Sequence, residues 1–219
     1  MLDGKPIKTK LRHDLAAPYE AIARAIQREW EAQDKLIIPE NMPLTQILNT
    51  KIDRVSQDRA VMTDYLMKYC DTDLICYLAQ DPPDLAQAQE KAWAPWRDWF
   101  FKKSGLSLKT THGLFALRQE EGVHRFIKDS IANLDADRFT ILQLVSAACG
   151  SLVLGLAFIA GDLDAKTAYA AARVEETYKD KLYDAEKYGP DPAQHKKDMA
   201  LMRDLDAAAF YLKHITPDF

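Results

Sequence analysis

Two residues, Glu121 and His124, have the spacing of a metal-ligand pair. Three residues apart on a helix, a glutamate and a histidine lie on one face, as they do in carboxylate-bridged di-iron sites. Such a site needs a second Glu-x-x-His motif and two further glutamates, and the sequence contains no second copy. The other histidines also lack a partner at metal-ligand spacing: His13, His112, His195 and His214. We therefore expect a solvated Glu121, no metal site and no cofactor.

Nucleophilic and phosphate-binding chemistry has no better support. The sequence contains no glycine-rich phosphate loop, no G-x-S-x-G turn and no H-E-x-x-H motif. Cys76 lies in an apolar run, which is typical of a packed thiol rather than a nucleophile. The acidic clusters at 71–73 and 81–84 have the oxygens to hold a divalent ion, but helix N-caps explain them more simply. We predict a protein that is not an enzyme and has no small-molecule substrate.

The amino-acid composition narrows the possible classes of protein further. The chain has 219 residues, 47% hydrophobic and 28% charged, as in an ordinary globular domain. Its net charge of -4 gives no basic excess to bind a phosphate backbone, so we expect no nucleic acid partner. Three cysteines without a C-x-x-C pair fit a reducing compartment. The absence of an N-terminal apolar segment predicts a bacterial cytoplasmic protein, or a mitochondrial matrix protein if the chain is a processed form.

Apolar residues recur at helical spacing in segment after segment, with no alternating β series. We predict a mainly α fold of eight or nine helices around one buried apolar helix. Most helix starts are marked by a proline or a capping aspartate: Pro18, Pro43, Asp58, Asp73, Asp84, Asp135 to Asp137, Asp164 and Asp191. The helix after Asp58 lines up an apolar stripe on one side: Val61, Met62, Tyr65, Leu66 and Tyr69.

The buried helix is assigned to Phe139–Ala160, which runs 22 residues without a charge. A run of that length is formally a membrane-span candidate. It contains polar residues and two glycines, and it has no aromatic residue of the interfacial kind at its ends. We interpret it as the central core helix and predict no membrane insertion.

The helix after Asp164, running to about Tyr183, carries two neighbouring carboxylates. Its predicted buried face consists of residues within a narrow arc: Thr167, Ala171, Val174, Tyr178 and Leu182. At about 100° per residue, Glu175 lies roughly 60° from the centre of that arc and Glu176 roughly 160° from it. Glu175 is therefore predicted at the rim of the buried face and Glu176 on the outward side.

The first residues differ from the rest of the chain. Asp3-Gly4 is a turn signal, and the Ile/Thr-containing segment that follows suggests half of a β-hairpin. We predict two regions, an N-terminal β remnant at 1–14 and a helical domain at 15–219.

Six strings spread over nearly the whole chain carry a resemblance to a known family. They are LDGKPIKT (2–9), IQREWEAQ (26–33), MPLTQILNTKID (42–53), YCDTDLICY (69–77), Gln89 with Trp93-Ala94-Pro95, and GSLVLGLAFIAGDL (150–163) followed by RVEETY (173–178). In this order they resemble the assembly chaperones of the F-type ATP synthase that handle the α subunit of its catalytic head, found in mitochondria and α-proteobacteria.

The resemblance implies a non-catalytic, ATP-independent chaperone. Its partner would be the free α subunit, kept from self-association until it pairs with the β subunit. The resemblance also implies a functionally required acid in the helix after the apolar one, at Glu175 or Glu176. Helix geometry leaves both open, because Glu176 is better exposed to reach a partner and Glu175 is better placed to be fixed by the fold.

The chain departs from the family pattern at three places. About twenty residues that normally precede the LDG segment are missing, so the N-terminal region is expected to be truncated or reduced. Lys179 and Tyr183-Asp184 stand where members have Gln and then Trp-Gly, and Ala94 stands where Asp is common. The alternative to the chaperone is an all-α ligand-binding protein or enzyme with an aromatic-lined pocket: Trp93, Trp96, Tyr69 and Tyr77.

Overall fold

The computed structural model of the chain describes residues 6–113, 115–183, 189 and 191–215. Within these residues there are ten α-helices, two 3-10 turns, one π-helical turn and a two-stranded sheet. In chain order the helices are α1 (Glu20–Glu31), α2 (Pro43–Thr50), α3 (Ser56–Thr72), α4 (Pro83–Ser104), α5 (Glu121–Ala132), α6 (Ala136–Cys149), α7 (Leu152–Ile159), α8 (Ala165–Ala172), α9 (Val174–Leu182) and α10 (Pro192–Ile215). The π-helical turn is Lys51–Val55, and the 3-10 turns are Pro39–Asn41 and Leu74–Cys76. The predicted mainly α class is confirmed.

The core is centred on α6 and α7, but these are two helices and not the single 22-residue helix that the sequence predicted. Gly150 adopts the left-handed conformation with φ of 66°, and its N–H bonds back to the carbonyl of Ser146, which ends α6. Ser151 then caps α7 by accepting a hydrogen bond from the Leu154 N–H. In the described part of the chain, no helix is long and apolar enough to cross a membrane.

A buried carboxylate fixes the break between these two core helices. Asp73, fully buried, accepts hydrogen bonds from the N–H groups of Ile75 at 3.2 Å and Val153 at 3.0 Å. Burial raises the pKa of Asp73 to about 6, although these hydrogen bonds act in the opposite direction. The predicted capping role of Asp73 is confirmed, but it caps the Leu74–Cys76 3-10 turn and the start of α7 together.

The sheet is small and follows directly from that turn. Strands β1 (Tyr77–Leu78) and β2 (Thr111–His112) run parallel, with Tyr77 opposite Thr111 and Leu78 opposite His112. Tyr77, which the sequence placed in a helix, is therefore in a strand. The pairing holds the loop after α4 against the start of the chain segment that leads into α4.

α2, the π-helical turn and α3 form one nearly continuous rod, contrary to the prediction that Asp58 begins a new helix. Asp58 keeps a non-helical backbone conformation with φ of -112°, but it lies inside α3 and marks a kink. The predicted apolar stripe of α3 is only partly buried. Met62 and Leu66 belong to the core, whereas Val61 is 54% exposed and Tyr65 is 58% exposed.

The predicted helix after Asp164 is also divided. Arg173, with φ of -113° and ψ of 20°, separates α8 from α9. The direction of the helix changes there, so the predicted buried face is wrong for Thr167 and Leu182, which are exposed, while Ala171 is buried as predicted.

The N-terminal segment packs on the π-helical turn. Lys8 and Asp14 form an isolated antiparallel bridge, and their side chains are ion-paired. Thr9 donates a hydrogen bond from its hydroxyl to buried Asp53 at 2.6 Å. The predicted Asp3-Gly4 turn lies outside the described residues, and the division into regions 1–14 and 15–219 stays a prediction.

Candidate functional site

Glu175 and Glu176 lie in the first turn of α9, which packs against α4. Their positions follow from the break at Arg173, because α9 begins again at Val174 in a new direction. The two carboxylates point to different partners. The partner of Glu175 is distant in sequence, whereas that of Glu176 is three residues away.

Glu175 is held by a buried glutamine of α4. Gln89 is completely buried and donates from its Nε2 to Glu175 Oε1 at 3.1 Å. The Oε1 atom of Gln89 accepts from the Ala79 N–H at 2.6 Å, which fixes the orientation of the amide. Glu175 Oε2 lies 3.9 Å from Lys179 Nζ and remains open to solvent on that side. The predicted rim position of Glu175 agrees with this arrangement.

Glu176 is not the outward carboxylate that the single-helix geometry predicted. Its Oε1 lies 2.9 Å from a guanidinium nitrogen of Arg173, whose side chain is only 9% exposed. A second guanidinium nitrogen lies 2.7 Å from Asp198 Oδ1 on α10. As a result the side chain of Glu176 is 33% exposed and that of Glu175 is 44% exposed, the reverse of the predicted order.

Two further contacts hold this end of the molecule together. The Tyr178 hydroxyl donates to both carboxylate oxygens of Asp84 at 2.9 and 3.0 Å, joining α9 to the start of α4. These hydrogen bonds to Asp84 raise the pKa of Tyr178. The Trp93 indole N–H donates to the Ala171 carbonyl at 2.8 Å, joining α4 to α8.

These contacts bear on the aromatic-pocket alternative. Trp93 is 1% exposed and is part of the packed core. The Tyr77 hydroxyl donates to the Asp71 carbonyl at 2.6 Å and accepts from the Leu117 N–H at 3.2 Å. The side chains of Trp93 and Tyr77 thus contribute to packing and hydrogen bonding within the fold.

The other residues singled out in the sequence are dispersed. His124 Nε2 lies 2.9 Å from Asp71 Oδ1, and Glu121 lies on the exposed side of α5 facing Arg125. Burial raises the pKa of Cys70 and Cys149 to about 12, and it raises that of Cys76 still further. Among the described residues, no group of three or more His, Cys, Asp or Glu side chains could hold a metal ion.

Sequence reasoning missed two residues that shape this site. Gln89 was noted only as part of a family string, and Arg173 was only the first letter of another. A buried glutamine or arginine has no local signature, because its burial depends on helices far away in sequence. The RVEETY string was nevertheless a usable signal, since it contains the ion pair of Arg173 with Glu176.

Exposed apolar side chains occur on α9 and α10, the helices that carry these carboxylates and their neighbour Asp198. Leu182 and Tyr183 at the end of α9 and Met199 on α10 are each more than half exposed. Charged groups that are anchored by the fold and lie beside exposed apolar side chains are features of protein-binding surfaces. The fold is that of a mainly α-helical protein, which exposes charged and apolar side chains on α9 and α10.

Comparison with known proteins gives the family. Residues 1–101 match the family described as ATP12 chaperone protein. The crystal structure of Atp12 from Paracoccus denitrificans is similar to this chain with a TM-score of 0.84 and 32% sequence identity, covering 99% of this chain and 91% of that one. The Atu1473 protein of Agrobacterium tumefaciens is similar with a TM-score of 0.86 and 27% identity, covering 99% of this chain and 79% of that one.

One of the similar proteins is mitochondrial. The mitochondrial protein atp12 of Schizosaccharomyces pombe is 23% identical over 190 residues, which is 81% of this chain. The chain spans 65% of the length of that relative. The chain described here belongs to the ATP12 chaperone family.

Proposed function

We propose that this protein is an ATP-independent assembly chaperone that binds the free α subunit of the F-type ATP synthase. Its membership of the ATP12 family carries the proposal. The protein has no catalytic role in this function. Its proposed location is the bacterial cytoplasm or, for a processed form, the mitochondrial matrix, and one relative is named as a mitochondrial protein.

The proposed mechanism is competition by mass action. A chaperone that covers an aggregation-prone face of the α subunit lowers the concentration of the free, self-associating form. An interface of roughly 1,600 Å² is sufficient for a specific complex of this kind. The β subunit then displaces the chaperone because its contact with α is more favourable, so release requires no nucleotide.

Glu175 is the proposed partner contact, and Glu176 is its support. Glu175 has one oxygen bound by Gln89 and presents the other to solvent. It is thus a fixed charge that a basic group of the client can approach without a large entropic cost. Glu176 is already committed to Arg173, which links α9 to Asp198 on α10.

Charge reversal at each glutamate tests this assignment. The isolated α subunit is mixed with the protein or with Glu175→Lys, Glu176→Lys or the control Glu121→Lys, and the retained α subunit is quantified. We expect Glu175→Lys to weaken capture about tenfold or more and Glu121→Lys to leave it unchanged. The Paracoccus protein with one aspartate-to-lysine substitution matches this fold with a TM-score of 0.84, so a charge reversal is compatible with folding in that relative.

Failure has two distinguishable forms. If the unaltered protein does not retain the α subunit or delay its aggregation, the proposed function is wrong. If the unaltered protein and the Glu175→Lys variant retain it equally, the function stands and the assigned contact is wrong.

A further inference from the structure

Two grooves lie on either side of the rod formed by α2 and the π-helical turn, away from Glu175. The first, of about 410 Å³, is lined by α2, α3 and α6, and its apolar wall includes Val61, Met62 and Tyr65. The second, of about 540 Å³, lies between α2 and the N-terminal segment. The two grooves share three side chains of the rod, which form the ridge between them: Gln46, Thr50 and Arg54. We call the grooves and this ridge the twin-groove surface.

The twin-groove surface exposes large apolar side chains on both sides of its ridge. Val61 and Tyr65 in the first groove and Leu11 and Ile37 in the second are each more than half exposed. Side chains of this size exposed next to one another are a mark of a binding surface, because their exposure to water is unfavourable. A single isolated exposed leucine would carry no such meaning.

The outer wall of the second groove is basic and firmly attached. Lys8 and Lys10 line this groove, and Lys10 has no ion pair among the residues that the structure describes. The wall is held by Asp53 of the π-helical turn, which accepts from Thr9 Oγ1 at 2.6 Å and from the Leu11 N–H at 3.2 Å. Because Lys8 is ion-paired with Asp14, Lys10 supplies the charge of this wall.

The other carboxylates near the surface are not paired with Lys10. Asp53 lies 2.9 Å from His13 Nδ1 and is buried. Asp58 is ion-paired with Arg54 at 2.9 Å. Asp204, on the far wall of the first groove, accepts hydrogen bonds from Arg203 at 3.3 Å. Lys10 therefore remains available to a carboxylate of a partner.

We propose that the twin-groove surface is a second client contact, which binds an apolar polypeptide segment of the client that carries an acidic residue. The inference rests on the proposed function, because the client is the α subunit proposed above. Apolar side chains of the segment fill the two grooves on either side of the ridge, and its carboxylate pairs with Lys10. This contact has the opposite charge to the Glu175 contact, so a client held by both is oriented as well as bound.

Helix α10 contributes a residue next to each of the two surfaces. Asp198, which pairs with Arg173 at the Glu175 site, and Asp204, which lines the first groove, are both on α10. Six residues apart, they are separated by about 9 Å along the helix axis and lie on different sides of it. A client domain can span that distance.

Matched surface variants test the twin-groove contact. Tyr65→Ser removes an exposed aromatic side chain from the first groove, and Phe101→Ser, at 51% exposure on α4, removes one from outside both grooves. Lys10→Glu reverses the unpaired charge. Its control is Lys128→Glu, at an exposed position of α5. Binding of the isolated α subunit to each immobilised variant is measured at low and high salt, after thermal unfolding confirms that each variant is folded.

We expect Tyr65→Ser to weaken binding about tenfold or more, as loss of a buried aromatic contact does at interfaces. Lys10→Glu should weaken it about three- to tenfold at low salt, with a smaller effect at high salt. Both controls should bind as the unaltered protein does.

Three outcomes would overturn the inference. In the first, the unaltered protein and Glu121→Lys retain the α subunit, Glu175→Lys does not, and all the groove variants still bind. The proposed function then stands and the twin-groove contact is wrong. If the unaltered protein does not bind the α subunit at all, both proposals fail. If sedimentation shows a dimer that Tyr65→Ser dissociates, the surface binds a second copy of this chain instead.

Discussion

Glu175 and Glu176 are adjacent in sequence, yet their neighbours give them different physical roles. Glu175 receives one hydrogen bond from an uncharged amide and keeps an exposed oxygen. Glu176 neutralises a guanidinium that is almost withdrawn from water. An ion pair involving a buried charge is costly to break, because the remaining partner is left without compensation.

The two glutamates should therefore differ in their contribution to stability. Glu176→Ala leaves Arg173 with Asp198 alone, and we expect the free energy of unfolding to fall by about 1–2 kcal/mol, since Glu176 is itself partly exposed. Glu175→Ala should lower it by less, because the Gln89 amide that loses its acceptor is uncharged. Urea denaturation of both variants measures the difference. Equal losses of unfolding free energy in the two variants would show that the ion pair of Glu176 with Arg173 does not stabilise the fold more than the contacts of Glu175 do.

At the scale of elements, the junction between α6 and α7 determines how the core packs. Gly155 of α7 faces α6 closely, and a Cβ atom there would lie 3.0 Å from Leu142 Cδ1 and closer still to Ser146 Oγ. Gly122 of α5 has more room, because a Cβ atom there would meet Leu106 at 3.6 Å, an ordinary contact distance. Both glycines are inside helices and neither has a positive φ, so the two sites form a matched pair.

The same substitution should have opposite effects at these two positions. Gly155→Ala is expected to lower the free energy of unfolding by about 1–3 kcal/mol, because the added methyl group forces α6 and α7 apart. Gly122→Ala is expected to raise it by about 0.5–1 kcal/mol, because alanine loses less backbone entropy in a helix. Thermal and urea unfolding measure both. A stable Gly155→Ala variant would mean that the two helices can separate without cost.

At the scale of the whole molecule, the N-terminal segment is joined to the helical body through Asp53. Burial opposes ionisation of this carboxyl group, but hydrogen bonds from Thr9, His13 and the Leu11 N–H outweigh that effect and keep its pKa below the usual value. A carboxyl group whose pKa is lower in the folded state contributes stability above its unfolded pKa. That contribution is lost as the pH falls through the folded value.

Asp53→Asn should therefore be most harmful near neutral pH. We expect the unaltered protein to exceed the variant by about 1–3 kcal/mol in free energy of unfolding at pH 7, because Asn replaces one of two acceptor oxygens by a donor. The difference should shrink as the pH falls below about 4, because the carboxyl group is protonated first in the unfolded chain and only at lower pH in the folded protein. Urea titrations at pH 7 and pH 3 test this. A difference independent of pH would assign the effect to shape rather than to charge.

The sequence by itself determined the mainly α class, several helix starts and the family resemblance. Helix starts are signalled by local features, such as the proline that opens α2 and the aspartate that caps α8, so a short window contains the information. The resemblance was available for a similar reason, since ordered strings are read along the chain. The candidate acids were therefore found, although their roles were not.

Only the tertiary structure decided which way those acids face and where apolar surface remains exposed. The apolar run is divided into two helices at Gly150. Asp73, which lies about eighty residues earlier, stabilises the start of the second helix by accepting a hydrogen bond from the Val153 N–H. Glu176 lies closer to the protein interior than predicted because it pairs with Arg173, whose guanidinium is also paired with Asp198 on α10. Helical periodicity placed Val61 and Tyr65 on one apolar stripe with Met62 and Leu66, but it specifies only that residues share a face. Whether another element covers that face depends on contacts between distant segments, and these have no signature in the local sequence.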